Sequence, residues 1–204
     1  MSRPRAIRGN DLRRALAQES ARIMAEHGIE DYALAKKKAA VRLGVSELGA
    51  LPTNAEIDVA LAQYQRLFAP SDRQDTLSAQ RRCAVEAMRL LETFKPRLVG
   101  PVLSGTAITH QTITLHVFAD TVESISIALL DRKIPYRLAE QRVKVSADRQ
   151  QHCPVFCLQY LEFEIEAVVF PEHGIRQAPL SAIDGRPMRR GTLTEVQMLL
   201  AVQA

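Results

Sequence analysis

The hydrophobic period of this chain changes at Pro96, and that change restricts its possible folds more than any other feature. Before it, apolar residues recur every three or four positions, the mark of one buried helix face. After it, apolar and polar residues alternate in short runs, the mark of half-buried strands. A chain that does both in succession reads as α+β. The reading is an N-terminal helical domain, 1–96, then a mixed-sheet domain, 97–204, that ends in a loop and a helix.

Four helices are predicted in the first half. "NDLRRALAQESARIMAEHG" offers Asn10 or Asp11 as N-cap and Gly28 as stop. "EDYALAKKKAAVRLG" repeats the form, ending at Gly44. The third opens on Thr53 and Glu56 at capping-box spacing, behind Pro52, and ends before Pro70. The fourth, "LSAQRRCAVEAMRLLETFK", faces Leu77, Cys83, Ala84, Ala87, Met88 and Leu91 inward and closes before Pro96.

Strands follow. "LVGPVLS" and "TITLHVFA" flank the small turn Ser104-Gly105-Thr106, with His110 in the connection, and a helix begins near Asp120 or Thr121 and is closed by Pro135. The apolar run Val155–Phe170 is too long for one strand of ordinary length, roughly 5–6 residues, so a hairpin is expected near Gln159–Glu162. A proline- and glycine-punctuated stretch, "EHGIRQAPLSAIDGRPMRRGT", precedes a closing helix, "LTEVQMLLAV". Long ordered loops of this kind often carry function.

Charge and cysteine content narrow the function classes. No apolar run approaches the roughly 18–20 residues that span a bilayer, so no membrane partner is expected. The basic N-terminus has no apolar core of a secretory signal, and three cysteines suit a reducing cytoplasm better than a disulfide framework. Residues 1–97 hold 17 Lys and Arg against 12 Asp and Glu, whereas the remainder holds 10 against 11. The positive excess therefore lies in the helical half, with Lys36-Lys37-Lys38 and Arg42 on one helix and Arg81, Arg82 and Arg89 on another. That is the footprint of a nucleic-acid partner, or simply a well-solvated helical surface. Cys153 and Cys157 with His152 invite a zinc reading, but sulfurs four residues apart on a strand stand roughly 13 Å from each other.

Strand, small-residue turn, helix, and strand with alternating polar positions resembles the core of the DNA-polymerase-β-like nucleotidyltransferase superfamily. In that family a Gly-Ser or Gly-Gly turn begins a helix and holds the nucleoside triphosphate through backbone N–H groups. A strand about ten residues later carries two aspartates that bind Mg²⁺, and a third carboxylate stands on a later strand. Here "LSGTA" resembles the turn, "TITLHVF" the aspartate strand and "IEAVVF" the third strand. The resemblance covers about residues 98–170. It implies a nucleotide-binding protein of a mixed-sheet, nucleotidyltransferase-like fold.

It also assigns roles. Ser104, Gly105 and Thr106 take the place of the nucleotide turn; Thr112 and Thr114 fall where the two aspartates would stand; Glu166 matches the third carboxylate and metal ligand, with Glu164 one pleat away. His116 lies on the same strand face as Thr112 and Thr114 and joins the two glutamates as a candidate catalytic group. Arg189 and Arg190, in the long loop, have the forked geometry to close over a phosphate. Threonine is neutral where Mg²⁺ prefers carboxylates, so the expectation is weak Mg²⁺ dependence and uncertain or lost transferase activity. The alternative from another class is a noncatalytic RNA- or DNA-binding regulator that uses the basic helices.

Overall fold

The computed structural model describes residues 9–45, 51–68, 70–107, 111–146 and 148–202. It is α+β, as expected, and divides into two compact units, Met1–Arg73 and Gln74–Ala204.

The first unit holds α1 (Gly9–His27), α2 (Tyr32–Arg42) and α3 (Asn54–Phe68). Leu16, Ile23 and Ala39 form its core, with Leu12 and Ile29 packed on them. Asp31 caps α2 by accepting from the Ala33 and Leu34 amides at 2.7 and 3.3 Å. The expected box opens α3: Glu56 accepts from the Thr53 amide at 2.7 Å and its own amide donates to Thr53 Oγ1 at 3.2 Å. An Arg13 fork on Glu56 at 2.8 Å then ties α1 to α3. Helix α1 starts before the expected Asn10 or Asp11 cap, at Gly9.

The division falls at Arg73, not at Pro96. Helix α4 runs Pro70–Leu90, and Leu77, Cys83, Ala84, Ala87 and Met88 share one core with the sheet residues Ile113, Leu115, Phe156 and Ile165. The fourth helix is thus the first layer of the sheet unit. Its apolar stripe announced a buried face, but periodicity alone does not say what covers that face.

Among the described residues the sheet has five strands in the order β1-β2-β5-β4-β3. They are β1 (Arg97–Leu98), β2 (Ile113–Phe118), β3 (Tyr136–Lys144), β4 (Gln150–Tyr160) and β5 (Phe163–Phe170). Only β2 and β5 run parallel; the other pairs are antiparallel. Helix α5 (Gly100–Ser104) lies between β1 and β2, α6 (Val122–Asp131) follows β2, and α7 (Leu193–Ala201) closes the chain. Odd residues of β2, Ile113, Leu115 and Val117, face the core shared with α4. The opposite face carries a second cluster of Phe118, Cys153, Val155, Cys157, Val168 and Phe170.

"LVGPVLS" departs from its expected strand. After two residues of β1 the chain reverses at Gly100, φ 72°, which opens α5 with Pro101 in its first turn. Proline has φ preset for a first helical turn and no amide to offer a sheet ladder, so the strand stops there. The expected hairpin is present as a tight turn at Leu161 and Glu162 between β4 and β5. Leu161 sits there at φ 54° with its side chain 73% exposed. A left-handed leucine is strained and this one packs on little. Leu161→Asn should therefore raise unfolding stability by about 1 kcal/mol, read from urea midpoints at constant m; a fall in the midpoint would show that the leucine makes contacts worth more than its strain.

Candidate functional site

The face of β2 and β5 away from the helices collects most of the residues that the sequence singled out. In the parallel register Thr114 lies opposite Glu166, His116 opposite Val168, and Phe118 opposite Phe170. Opposed residues share a face, so Thr114, His116 and Glu166 stand on one side of the sheet, with Glu164 one pleat further. Thr112 immediately precedes β2 and is half-buried, like Thr114 and Glu166, whereas Glu164 is exposed, 4.0 Å from Arg137 of β3, on the far side of β4.

The nucleotide turn does not have the geometry that its residues suggested. Ser104 is the last residue of α5, and Gly105, φ 85°, is its left-handed C-cap. The amides of Gly105 and Thr106 both donate to Pro101 O, at 2.8 and 3.0 Å. Ser104 Oγ lies 3.3 Å from Pro101 O and 3.0 Å from Thr106 Oγ1. Ser-Gly-Thr therefore ends a helix, and its amides are consumed in closing it. The negative end of a helix repels phosphate. The Arg81 guanidinium covers that end, donating to Val102 O at 3.1 Å and Leu103 O at 3.3 Å. Arg81 is accordingly 4% exposed and is no part of a basic surface. The glycine that does begin a helix here is Gly100, ahead of Pro101, which has no amide hydrogen. His110 lies outside the described residues.

The donor set does not fit a two-metal centre. Among the described residues no three His, Cys, Asp or Glu side chains converge as metal ligands do. Glu166 is the carboxylate beside Thr114, and Glu164 turns toward Arg137. Hard cations need several anionic oxygens around one point. The expected metal role of Glu166, and the catalytic roles of Glu164 and Glu166 that rest on it, lack this support. Cys83, Cys153 and Cys157 are buried free thiols; burial pushes Cys153 up to about 11.

The two loop arginines part ways. Arg189 reaches Glu195 at 3.3 Å, on the capping box that opens α7. Arg190 turns inward instead. Its Nε donates to His116 Nδ1 at 3.0 Å, and Nη1 donates to Gly174 O at 2.8 Å and Ile175 O at 3.2 Å. The guanidinium carbon lies 4.9 Å from the Phe118 ring centre and 5.1 Å from that of Phe170. His116 also packs on Phe170, centroids 4.6 Å apart.

This arrangement favours the neutral form of His116. It is 2% exposed, its Nδ1 lone pair is occupied, and burial followed by the Arg190 charge lowers its pKa to about 3. A neutral, sealed imidazole with Nδ1 engaged is poorly placed to shuttle protons or ligate a metal. Arg190 is itself lowered to about 10 by burial and then by Arg97, so it stays cationic at neutral pH. The sequence reading missed Phe118 and Phe170 as its partners. The signal was there: a histidine inside "LHVF" predicts a buried ring in need of a donor, and an arginine beside Gly191 can supply one.

No protein-family model, curated protein or solved structure matches this chain.

The depressed His116 pKa has a measurable consequence. An unfolded histidine takes a proton near 6.5, whereas the folded one resists it down to about 3. Stability is therefore complete above about pH 6.5 and falls as pH drops toward 3, by up to about 1.4 kcal/mol per pH unit. His116→Gln keeps an acceptor for Arg190 and removes the titration. Its melting temperature should fall less steeply than the native one between pH 6.5 and 4; parallel curves would show that His116 is protonated in the fold.

Proposed function

We propose that Gln74–Ala204 is a nucleotidyltransferase-like domain that binds nucleotide without transferring it. The observation that carries this reading is the register of Thr114 with Glu166 across the parallel pair β2 and β5. It sets the first aspartate-like strand beside a strand that bears a carboxylate, with a short helix between β1 and β2. Two threonines in place of aspartates leave the face too weakly anionic for paired Mg²⁺. The Gly105 and Thr106 amides already bond Pro101 O, so triphosphate affinity rests on side chains alone and is modest.

Calorimetry of ATP with and without Mg²⁺ tests this. The native chain should bind weakly and equally in both conditions. The Thr112→Asp, Thr114→Asp double variant should bind at least about tenfold more tightly with Mg²⁺ than without. Tight Mg²⁺-dependent binding and turnover by the native chain would overturn the loss of transfer. Failure of the double variant to gain any metal dependence would remove the superfamily reading.

A second reading, a noncatalytic nucleic-acid-binding regulator, is favoured by one observation in the first unit. Lys37 and Lys38 are exposed on α2 and, with Lys36, make no ion pair among the described residues. Arg42 is drawn to Glu19 at 3.3 Å. If this strip meets phosphates, Lys36→Glu with Lys37→Glu should lower RNA or DNA affinity and reduce the slope of log K against log salt by about 2. Equal affinity and slope for variant and native chain would exclude the strip as the contact.

A further inference from the structure

A cavity of about 440 Å³ lies at the other end of the same face, beyond the last residue of β5. Arg149, His173 and Arg176 line it with Gln151 and Gln177, and Phe170 forms part of its wall. No Asp or Glu is among its lining residues. Its size falls within the roughly 300–1,000 Å³ typical of small-molecule sites.

The charge of the lining is one-sided, with two arginines and a histidine gathered around one space. Some arginines of the chain are matched with carboxylates, as Arg13 is with Glu56, Arg22 with Glu19 and Glu26, Arg89 with Glu86 and Arg189 with Glu195, and others, among them Arg66, Arg82 and Arg142, have no ion pair among the described residues. Arg149 and Arg176 have no ion pair among the described residues. Two unmatched guanidinium forks and an imidazole around one concave space form a site for an anion. The rest of the wall, Pro171, Leu180 and Pro187 with Phe170, is apolar. A site of this composition suits an anion with an organic body better than a bare ion.

The walls are held in place by the backbone. Val145 N donates to Arg149 O at 2.9 Å, closing the β3–β4 turn that carries Arg149. Leu180 N donates to Lys144 O, fixing the loop to the end of β3. Arg190 clamps Gly174 and Ile175, inside the turn Glu172–Arg176 that presents His173 and Arg176. The cavity also opens at the C-terminal end of β5, whose parallel partner is β2.

We propose that this cavity binds the phosphate monoester of a small organic molecule, with Arg149 and Arg176 on the phosphate and the Phe170 end of the cavity against the organic part. It goes beyond the Thr114–Glu166 reading, since Glu166 and Phe170 are four residues, roughly 13 Å, apart along β5.

The test is calorimetry on the full chain at fixed ionic strength, with ribose 5-phosphate, AMP and inorganic phosphate as probes and ribose and adenosine as uncharged controls. The expected result is saturable binding of ribose 5-phosphate or AMP, tighter than inorganic phosphate, and none of the controls. Both arginines are exposed, so Arg149→Gln and Arg176→Gln should fold as the native chain does. Each should weaken ribose 5-phosphate about tenfold or more. No binding of any phosphate probe, or affinity unaltered in the Arg149→Gln, Arg176→Gln double variant, would overturn the proposal. Inorganic phosphate binding as tightly as both esters would overturn the organic part of it. Loss of ribose 5-phosphate affinity in the Thr112→Asp, Thr114→Asp variant would move the site to the other end of the face and overturn the proposal, whereas a change confined to AMP would concern the other reading alone.

Discussion

A half-buried cation without a carboxylate organises the second unit. Arg190 stays charged, yet no acidic side chain among the described residues pairs with it. Sinking an unpaired charge into a protein is costly unless polar groups replace its water. Here two carbonyls, a histidine lone pair and two aromatic faces do so. The replacement is incomplete, since Nη2 is buried with no hydrogen-bond partner. The side chain joins three parts of the chain that local structure leaves apart: β2 through His116, β5 through Phe170, and the turn Glu172–Arg176 through its carbonyls. Beside it, Gly191 exchanges backbone hydrogen bonds with Leu98 at 2.8 and 2.9 Å, which seats the arginine against the sheet edge. Leu103 lies so close to Gly191 that an added Cβ would come within 2.6 Å of it. The approach depends on the absence of a side chain.

That clamp explains why the open face of the sheet has two characters. Around Phe118, Val168 and Phe170 the face is apolar and covered, with Ile175 of the clamped turn packed on it. Toward the start of β2 and β5 the residues become Thr114, Glu164 and Glu166, half-buried or exposed. Strand alternation carries one side-chain set along each strand, so the change is one of cover and not of register. His116 marks the border. It belongs by alternation to the polar set and by burial to the apolar one, which is why it carries a pKa near 3.

Most of the architecture could be read from patterns that physics makes local. The Thr53 box, the hairpin at Leu161 and the strand Ile113–Phe118 each follow from a few adjacent residues. What failed were statements about partners. The stripe on α4 gave no sign that it packs on strands, so the division was placed at Pro96 and not at Arg73. Ser104-Gly105-Thr106 is as good a helix C-cap as a helix-opening turn. Only the bonds of both amides to Pro101 O decide between them. The neighbours Arg189 and Arg190 looked equivalent, and one backbone step sends them to opposite environments. Of the candidate site, the shared face of Thr114, His116 and Glu166 was legible because alternation requires it. The cavity of Arg149, His173 and Arg176 was not, because it is assembled from a hairpin turn and a loop with no common period.

The distribution of charge along the open face then argues for where its chemistry lies. A two-metal transferase concentrates carboxylates at one end of such a face and brings phosphates there as a metal complex. In this chain that end has hydroxyls at Thr112 and Thr114, and its glutamates are divided between Thr114 and Arg137. The far end has the reverse, unmatched cations around a preformed space with no acid in its lining. Anions need no metal where arginine forks are available, because the guanidinium supplies both charge and directed hydrogen bonds. The clamp at Arg190 belongs to that second arrangement: it places the turn bearing His173 and Arg176 and engages His116 Nδ1, which the first arrangement would need free.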